Sequence, residues 1–236
     1  MTFNSPEEKY TYVNDMFGRI AQRYDVMNKV MTAGQDSRWR KLVVKEARLP
    51  QFGGRLLDIA TGTGDIAFEA LKQFPHSDMV VGADFTLPMM QVGQQRSGGN
   101  YVSWSGADTM RLPFPTDHFD AVTSGFLMRN VIDVRCALEE QVRVCKPGGR
   151  VVILEIPRPA DDLFGQLFRL YFHNVVPVVG GIISGQKDAY TYLPSSADAF
   201  LRPDELQALM EVVGLRDVRY QMLMFNTVAL HVGEKA

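Results

Sequence analysis

The chain has 236 residues, 46% hydrophobic and 22% charged, with a formal net charge of -2, and its two cysteines, Cys136 and Cys145, sit nine apart. That length supports one sizeable core, so a single domain spanning 1–236 is expected. The near-neutral balance gives no basic field for nucleic acid. The cysteines lack metal-ligand neighbours, so free thiols and no metal site are expected.

The first residues, Met1 to Glu8, lack the basic and apolar regions of a secretory signal, which argues for a cytoplasmic protein. Residues 1–48 read as a helical cover. Ser5-Pro6-Glu7-Glu8 supplies a cap, a first-turn proline and acids at the positive end of the helix dipole. Phe17, Ile20, Ala21 and Tyr24, then Met27, Val30 and Met31, recur at helical steps.

Arg55 to Ile59 is an apolar run with an acid near its end, and Ala60-Thr61-Gly62-Thr63-Gly64 then opens a helical pattern from Asp65 to Gln73. This reads as the first strand and ligand loop of an α/β domain. The stretch alone leaves three readings open. Gly62, Gly64 and Ala67 satisfy GxGxxA with Asp84 following 20 residues after Gly64, which allows a nicotinamide dinucleotide; a tight turn with no ligand and a different nucleoside cofactor are equally consistent.

A second strand, Met79 to Asp84, ends in an acid; a helix from Phe85 to Arg96 and a third strand, Tyr101 to Ser105, lead to Asp108 and Thr109. A fourth strand, Phe119 to Ser124, a helix, Val134 to Val144, and a fifth strand, Val151 to Glu155, complete the alternation. Such alternation predicts a mainly parallel sheet covered on both faces.

Residues 157–203 break the rhythm. Their apolar stretch from Leu163 to Ser184 is interrupted by Arg169, His173, Asn174, Pro177 and Gly180-Gly181, so no membrane-spanning helix fits and an apolar lid is expected. A helix from Pro203 to Val213 precedes two strands near Val218–Met222 and Thr227–Val232. Only Leu223 to Asn226 joins them, too short for the roughly ten-residue minimum of a parallel crossover, so the pair should be antiparallel. A parallel sheet with that ending is the Rossmann-like sheet of seven-stranded methyltransferases.

Asp58, Asp84 and Asp108 fall at the ends or exits of successive strands. Carboxylates repel a pyrophosphate but suit S-adenosylmethionine, which carries a sulfonium, an ammonium and a ribose diol. On this reading Asp84 takes the ribose, Asp108 or Thr109 the adenine edge, and Thr61, Gly62, Thr63 and Gly64 the methionine end. Asp58 orients the loop or caps its amides. No Tyr-x-x-x-Lys pair serves hydride transfer, no G-x-S-x-G elbow serves acyl transfer, and the four histidines form no cluster.

Tyr24-Asp25-Val26-Met27-Asn28, Leu57 to Asp65, Met128-Arg129-Asn130-Val131, Arg143 to Arg150 and Tyr192-Leu193-Pro194-Ser195-Ser196 together resemble the ubiquinone/menaquinone-biosynthesis C-methyltransferase family, from about Met16 onward. The resemblance implies a class I methyltransferase fold, S-adenosylmethionine as cofactor, and C-methylation of a polyprenylated hydroquinone, demethylmenaquinol first among candidates. It places Thr63, Asp84, Asp108 and Thr109 on the cofactor, with Gly125 beside them after the fourth strand. Arg129, Asn130 and Tyr24 would face the reacting ring.

Arg129, with a pKa above 12, would hold a phenolate or a water rather than act as base; a salt bridge that packs the lid is the alternative. A lipid-borne substrate implies peripheral membrane contact through Phe164, Leu167, Phe168 and Phe172, and a homodimer stays open. Asp36-Ser37, Gly125, Leu127-Met128 and Ile156-Pro157 depart from the family pattern. They keep open another lipophilic or small aromatic acceptor, or a non-catalytic cofactor-binding partner in quinone synthesis.

Overall fold

The computed structural model describes Phe3 and residues 5–236. Met1, Thr2 and Asn4, part of the stretch read for a signal and of the expected cover, lie outside the described residues. Five strands alternate with helices: β1 (Arg55–Ile59), α4 (Asp65–Gln73), β2 (Met79–Asp84), α5 (Leu87–Gln94), β3 (Ser103–Gly106), β4 (Phe119–Gly125), α6 (Val134–Val144) and β5 (Cys145–Glu155). Three helices precede them, α1 (Pro6–Ile20), α2 (Tyr24–Met31) and α3 (Asp36–Ala47). After them come α7 (Leu163–Ser184), α8 (Lys187–Asp198), α9 (Pro203–Val212), β6 (Leu215–Leu223) and β7 (Val228–Lys235).

The seven strands form one sheet in the order β3-β2-β1-β4-β5-β7-β6. β1 pairs in parallel with β2 on one side and β4 on the other, so the chain reverses direction across the sheet there. A crevice opens at such a switch point, beyond the strands' carboxyl ends. β7 runs antiparallel to both β5 and β6, as the short connection requires.

Alternation along β1 decides what each residue meets. Leu57 and Ile59 pack with Ala137 and Leu138 of α6 and Leu206 and Met210 of α9. Leu56 packs on the other face with Trp39 and Val43 of α3 and Ile66 and Phe68 of α4. A third cluster joins α1 and α2 to α7 and α8 through Val13, Met16, Met27, Phe172, Val176 and Tyr192.

Several boundaries differ from the sequence reading, β6 starting at Leu215 and β7 running to Lys235 among them. α5 starts at Leu87 because the amide of Thr86 donates to Asp84 Oδ1, turning the chain before a helix can begin. Tyr101 lies in a 3-10 turn, so β3 starts at Ser103. β5 starts at Cys145, which pairs with Phe119 before a register shift that leads to the Ala121–Arg150 pairing.

In the stretch after β5, α7 runs for 22 residues with Pro177 inside, against α8. No described helix is long and apolar enough to cross a membrane.

Candidate functional site

The crevice is floored by the ends of β1 and β4. Ala60 (φ 52°) and Phe126 (φ 59°) both leave their strands in the left-handed region, a strained conformation that clusters at functional sites. Phe126 is held there by its amide, which donates to Leu154 O at 2.7 Å. Gly64 starts α4 at φ 88°, and a Cβ there would lie 2.6 Å from Trp104, so no other residue fits without displacement.

Two small cavities meet around this turn. One is lined by Ala60, Gly62, Asp84, Thr86, Gly125 and Asn130; the other by Arg40, Asp58, Thr61, Thr63, Asp65 and Gly125. Tyr24 and Phe126 line both. Asp84 Oδ2 accepts the Gly62 amide at 2.8 Å and Oδ1 the Thr86 amide at 2.7 Å. The Thr86 hydroxyl and the Phe85 amide also favour the charged form of Asp84, and its carboxylate lines the cavity, where a donor such as a ribose hydroxyl can approach it.

Asp58 is buried and accepts hydrogen bonds from Thr61 Oγ1 at 2.7 Å and Thr123 Oγ1 at 3.0 Å. Burial pushes its pKa up to about 7, against the two hydroxyl donors and with help from the charges of Asp84 and Asp65. Burial also raises the pKa of Asp84. Two buried carboxylates, one in each of two adjoining cavities, favour a cation between them.

The loop is tied to the N-terminal helices. Thr63 Oγ1 donates to Asp25 Oδ1 at 2.6 Å; Arg96 donates to Thr63 O at 2.9 Å and pairs with Asp25 at 3.2 Å and Asp65 at 2.7 Å. Arg40 pairs with Asp65 at 2.9 Å and with Asp36 at 2.6 Å. Asp36, which with Ser37 departs from the family pattern, is itself buried and has the half-buried Arg40 as its partner.

On the other side of Tyr24 and Phe126 lies an apolar cavity between the N-terminal helices and α7–α8, with Met16, Phe172 and Tyr190 among its walls. Arg129 and Asp36 are the charged residues that line it. Arg129 Nη1 donates to Glu155 Oε1 and, at 3.0 Å, to Phe126 O, while its backbone amide donates to Glu155 Oε2 at 3.2 Å. Arg129 Nε and Asn28 Nδ2, both on residues lining this cavity, are buried without a hydrogen-bond partner.

Burial raises the Tyr24 hydroxyl's pKa, opposed by the neighbouring Asn28 side chain and by the charge of Arg129. Lys9 Nζ donates to Val131 O at 2.7 Å and anchors the Arg129–Val131 turn to α1.

The sequence-derived residues therefore divide. Asp58, Thr61, Gly62, Thr63, Asp84 and Gly125 line the two small cavities, and Arg129 and Tyr24 the apolar one. Asn130 lines the cavity of Asp84, not the apolar wall where it was expected; it donates to Phe126 O at 2.9 Å and accepts from the Tyr192 hydroxyl at 3.1 Å. Asp108 and Thr109 line none of these three cavities: Asp108 Oδ1 caps the amide of Met110, and Thr109 Oγ1 is buried without a partner.

Phe168 and Phe172 do not face outward. They stack at 4.9 Å and line the apolar cavity, Phe172 being only 4% exposed; Phe164, four residues before Phe168 on the same helix face, lies nearer the start of α7 and is 47% exposed, and Leu167, off that face, is 57% exposed. His173 pairs with Asp198 at 2.6 Å, away from these cavities.

Sequence reasoning missed Asp25, Asn28, Arg40, Arg96, Glu155 and Tyr192. Asp25 and Asn28 share the Tyr24–Asn28 stretch, Tyr192 opens another quoted stretch, and Glu155 ends a strand, so each carried a local signal. Arg40 and Arg96 carried none, since only the tertiary fold brings them to the loop.

A family model described as the ubiE/COQ5 methyltransferase family matches residues 4–235. A demethylmenaquinone methyltransferase from Deinococcus radiodurans is 43% identical over 97% of this chain and 95% of its own length. One from Thermus thermophilus is 45% identical over 93% of this chain and 100% of its own. A ubiquinone/menaquinone biosynthesis C-methyltransferase from Geobacter sulfurreducens is 44% identical over 97% and 90%. Among solved structures, an S-adenosylmethionine-dependent methyltransferase from Thermotoga maritima superposes with a TM-score of 0.66 at 19% identity, covering 94% of this chain and 99% of that one; at that identity the likeness concerns the fold.

Proposed function

The chain belongs to the ubiE/COQ5 methyltransferase family and is an S-adenosylmethionine-dependent methyltransferase; from that premise we propose that it C-methylates the ring of a polyprenyl-quinol, demethylmenaquinol in the first instance. The relatives' names support that acceptor. Bound S-adenosylmethionine supplies a methyl group on a sulfonium cation. The residues present fit it: Asp84 lines a cavity where the ribose can approach it, and Asp58 has a pKa that a nearby cation would lower. The unpartnered Thr109 hydroxyl suits the adenine edge.

The observation that carries the acceptor is the apolar cavity itself, which holds two buried, unpartnered donors and meets the cofactor cavities across Tyr24 and Phe126. Arg129 Nε and Asn28 Nδ2 are suited to a ring oxygen. A ring carbon becomes nucleophilic when the neighbouring phenol loses its proton, and a guanidinium holds the resulting oxyanion without having to remove that proton. Glu155 orients Arg129 through Nη1 and leaves Nε for the acceptor. Asn130, bonded to Phe126 O and Tyr192, braces the partition between the two sides. The remaining step is positioning, which apolar walls and exclusion of water assist.

Residues 157–203 act as a lid whose outer side rests on lipid, since Leu163, Phe164, Leu167 and Leu170 are 47–74% exposed on one stretch of α7. Methyl transfer to demethylmenaquinol, measured beside a panel of unrelated phenols, tests the assignment. Turnover confined to the phenols would replace the acceptor and keep the chemistry.

A further inference from the structure

A second cavity lies beside the apolar one, between the start of α7 and the β6–β7 turn. Phe168 and Thr227 line both, one as a wall of α7 and the other just before β7. Further out, the second cavity is bounded by Ala160, Phe164 and Phe225.

The turn itself is unusual. Met224, Phe225 and Asn226 are consecutive residues in the left-handed region, at φ 44°, 54° and 64°, none of them glycine. That conformation is costly for side-chain-bearing residues. Its visible consequence is that the Phe225 ring is 81% exposed at the tip, with its centroid 6.5 Å from that of half-exposed Phe164. The nearby carboxylate of Asp162 is engaged with its own helix, Oδ1 accepting the Gly165 amide at 2.7 Å.

We propose that the apolar tail of the acceptor leaves the ring cavity over Phe168 and Thr227 and emerges between Phe164 and Phe225, where the two aromatic rings enter the lipid that holds the rest of the tail. This rests on the acceptor proposed above and assigns it a path. The route runs from Arg129 in the ring cavity, past the two residues that line both cavities, to a pair of exposed aromatic rings. An aromatic pair at an apolar mouth suits the membrane interface.

The experiment compares two acceptors, long-tailed demethylmenaquinol in phosphatidylglycerol-containing vesicles and tail-less 1,4-naphthohydroquinol in buffer, by the ratio of their kcat/KM values. Ala160→Trp, at an exposed position of the outer cavity, narrows the path and is expected to lower the long-tail to tail-less ratio at least tenfold. Should that variant fail to fold, Phe225→Asp, at the exposed tip, is read the same way. A wild type active on both acceptors, with the ratio unmoved in a folded variant, overturns the path and leaves the acceptor standing. A wild type that methylates neither overturns the acceptor, and the path with it.

Discussion

On the loop side of Phe126 the acids and hydroxyls are held by other parts of the protein: Asp84 by Gly62 and Thr86, Asp58 by Thr61 and Thr123, Thr63 by Asp25. On the other side, Arg129 Nε and Asn28 Nδ2 meet an apolar cavity with no partner at all. The first side is built to receive one polar, cationic molecule in one pose. The second is a pliable wall of Met, Phe and Tyr side chains with two unspent nitrogen donors, which suits an apolar acceptor recognised at one oxygen. Damage to the first side should therefore appear in cofactor affinity, and damage to the second in turnover of the acceptor.

Arg129→Ala tests the acceptor side hardest, because it removes a donor and strands a buried carboxylate at once. Losing one partner of a buried pair costs about 3–5 kcal/mol, so the melting temperature should fall. Adding Glu155→Gln should recover stability and leave turnover depressed by about 10²–10³-fold, the usual cost of one oxyanion donor. Recovery of turnover together with stability would reduce Arg129 to a packing salt bridge. Cofactor affinity, read by calorimetry, should stay within about twofold of wild type in the double variant, a margin set by the distance at which sites become independent.

Asp84→Ala is the counterpart on the cofactor side, with an expected loss of about 2–5 kcal/mol of cofactor binding. Because the substitution also orphans two amides, Asp84→Asn, which keeps an acceptor, is the control: it should bind better than the alanine variant and worse than wild type. Equal dissociation constants for all three would move the ribose site elsewhere.

The same contrast explains what the chain showed before its structure was known. β1, α4 and β2 keep the bounds read from Arg55 to Asp84, because strand alternation, a Gly-x-Gly turn and a terminal acid are local signals. Asp58, Gly62, Thr63 and Asp84 were legible for that reason. Arg40 and Arg96 reach the loop only through the packing of α3 and α5, and nothing near them in sequence announces it. α7 was legible in part. The polar residues, Pro177 and glycines in it ruled out a membrane span, and no described helix is one, but Phe172 proved to be a wall of the cavity rather than a surface anchor.

A smaller effect sharpens the cofactor side through its protons. Burial lifts Asp58 from the ordinary 3.8 to about 7. In the cofactor-free protein its neutral form therefore persists far above the unfolded value: the associated stability is complete below that value and is lost as pH rises through about 7. A bound cation favours the carboxylate, so binding should release a proton and strengthen as pH rises, by about tenfold between pH 6 and 8. Calorimetry in two buffers of different ionisation heat measures that proton directly. Asp58→Asn should flatten the profile, and a flat wild-type profile would mean that Asp58 is already charged in the free protein.

The smallest expected effect probes the seam between the two sides. Asp25 belongs to α2, a helix that walls the acceptor cavity, yet its carboxylate accepts from Thr63 Oγ1 and pairs with Arg96. Burial, then the charge of Asp65, raises its pKa, while the Thr63 hydroxyl and Arg96 act in the opposite direction and favour its charged form. If the two sides were independent, Asp25→Ala would alter acceptor kinetics alone. The geometry says otherwise: Thr63 loses its acceptor and Arg96 one of its two acids, so cofactor affinity should fall by about 1 kcal/mol, or about fivefold. Thr63→Val should weaken it similarly. The Asp25→Ala, Thr63→Val double variant should be little worse than either alone, since each removes the same bond. Strictly additive losses would show that Asp25 and Thr63 act separately, and that the N-terminal helices merely cover the cofactor loop instead of holding it in shape.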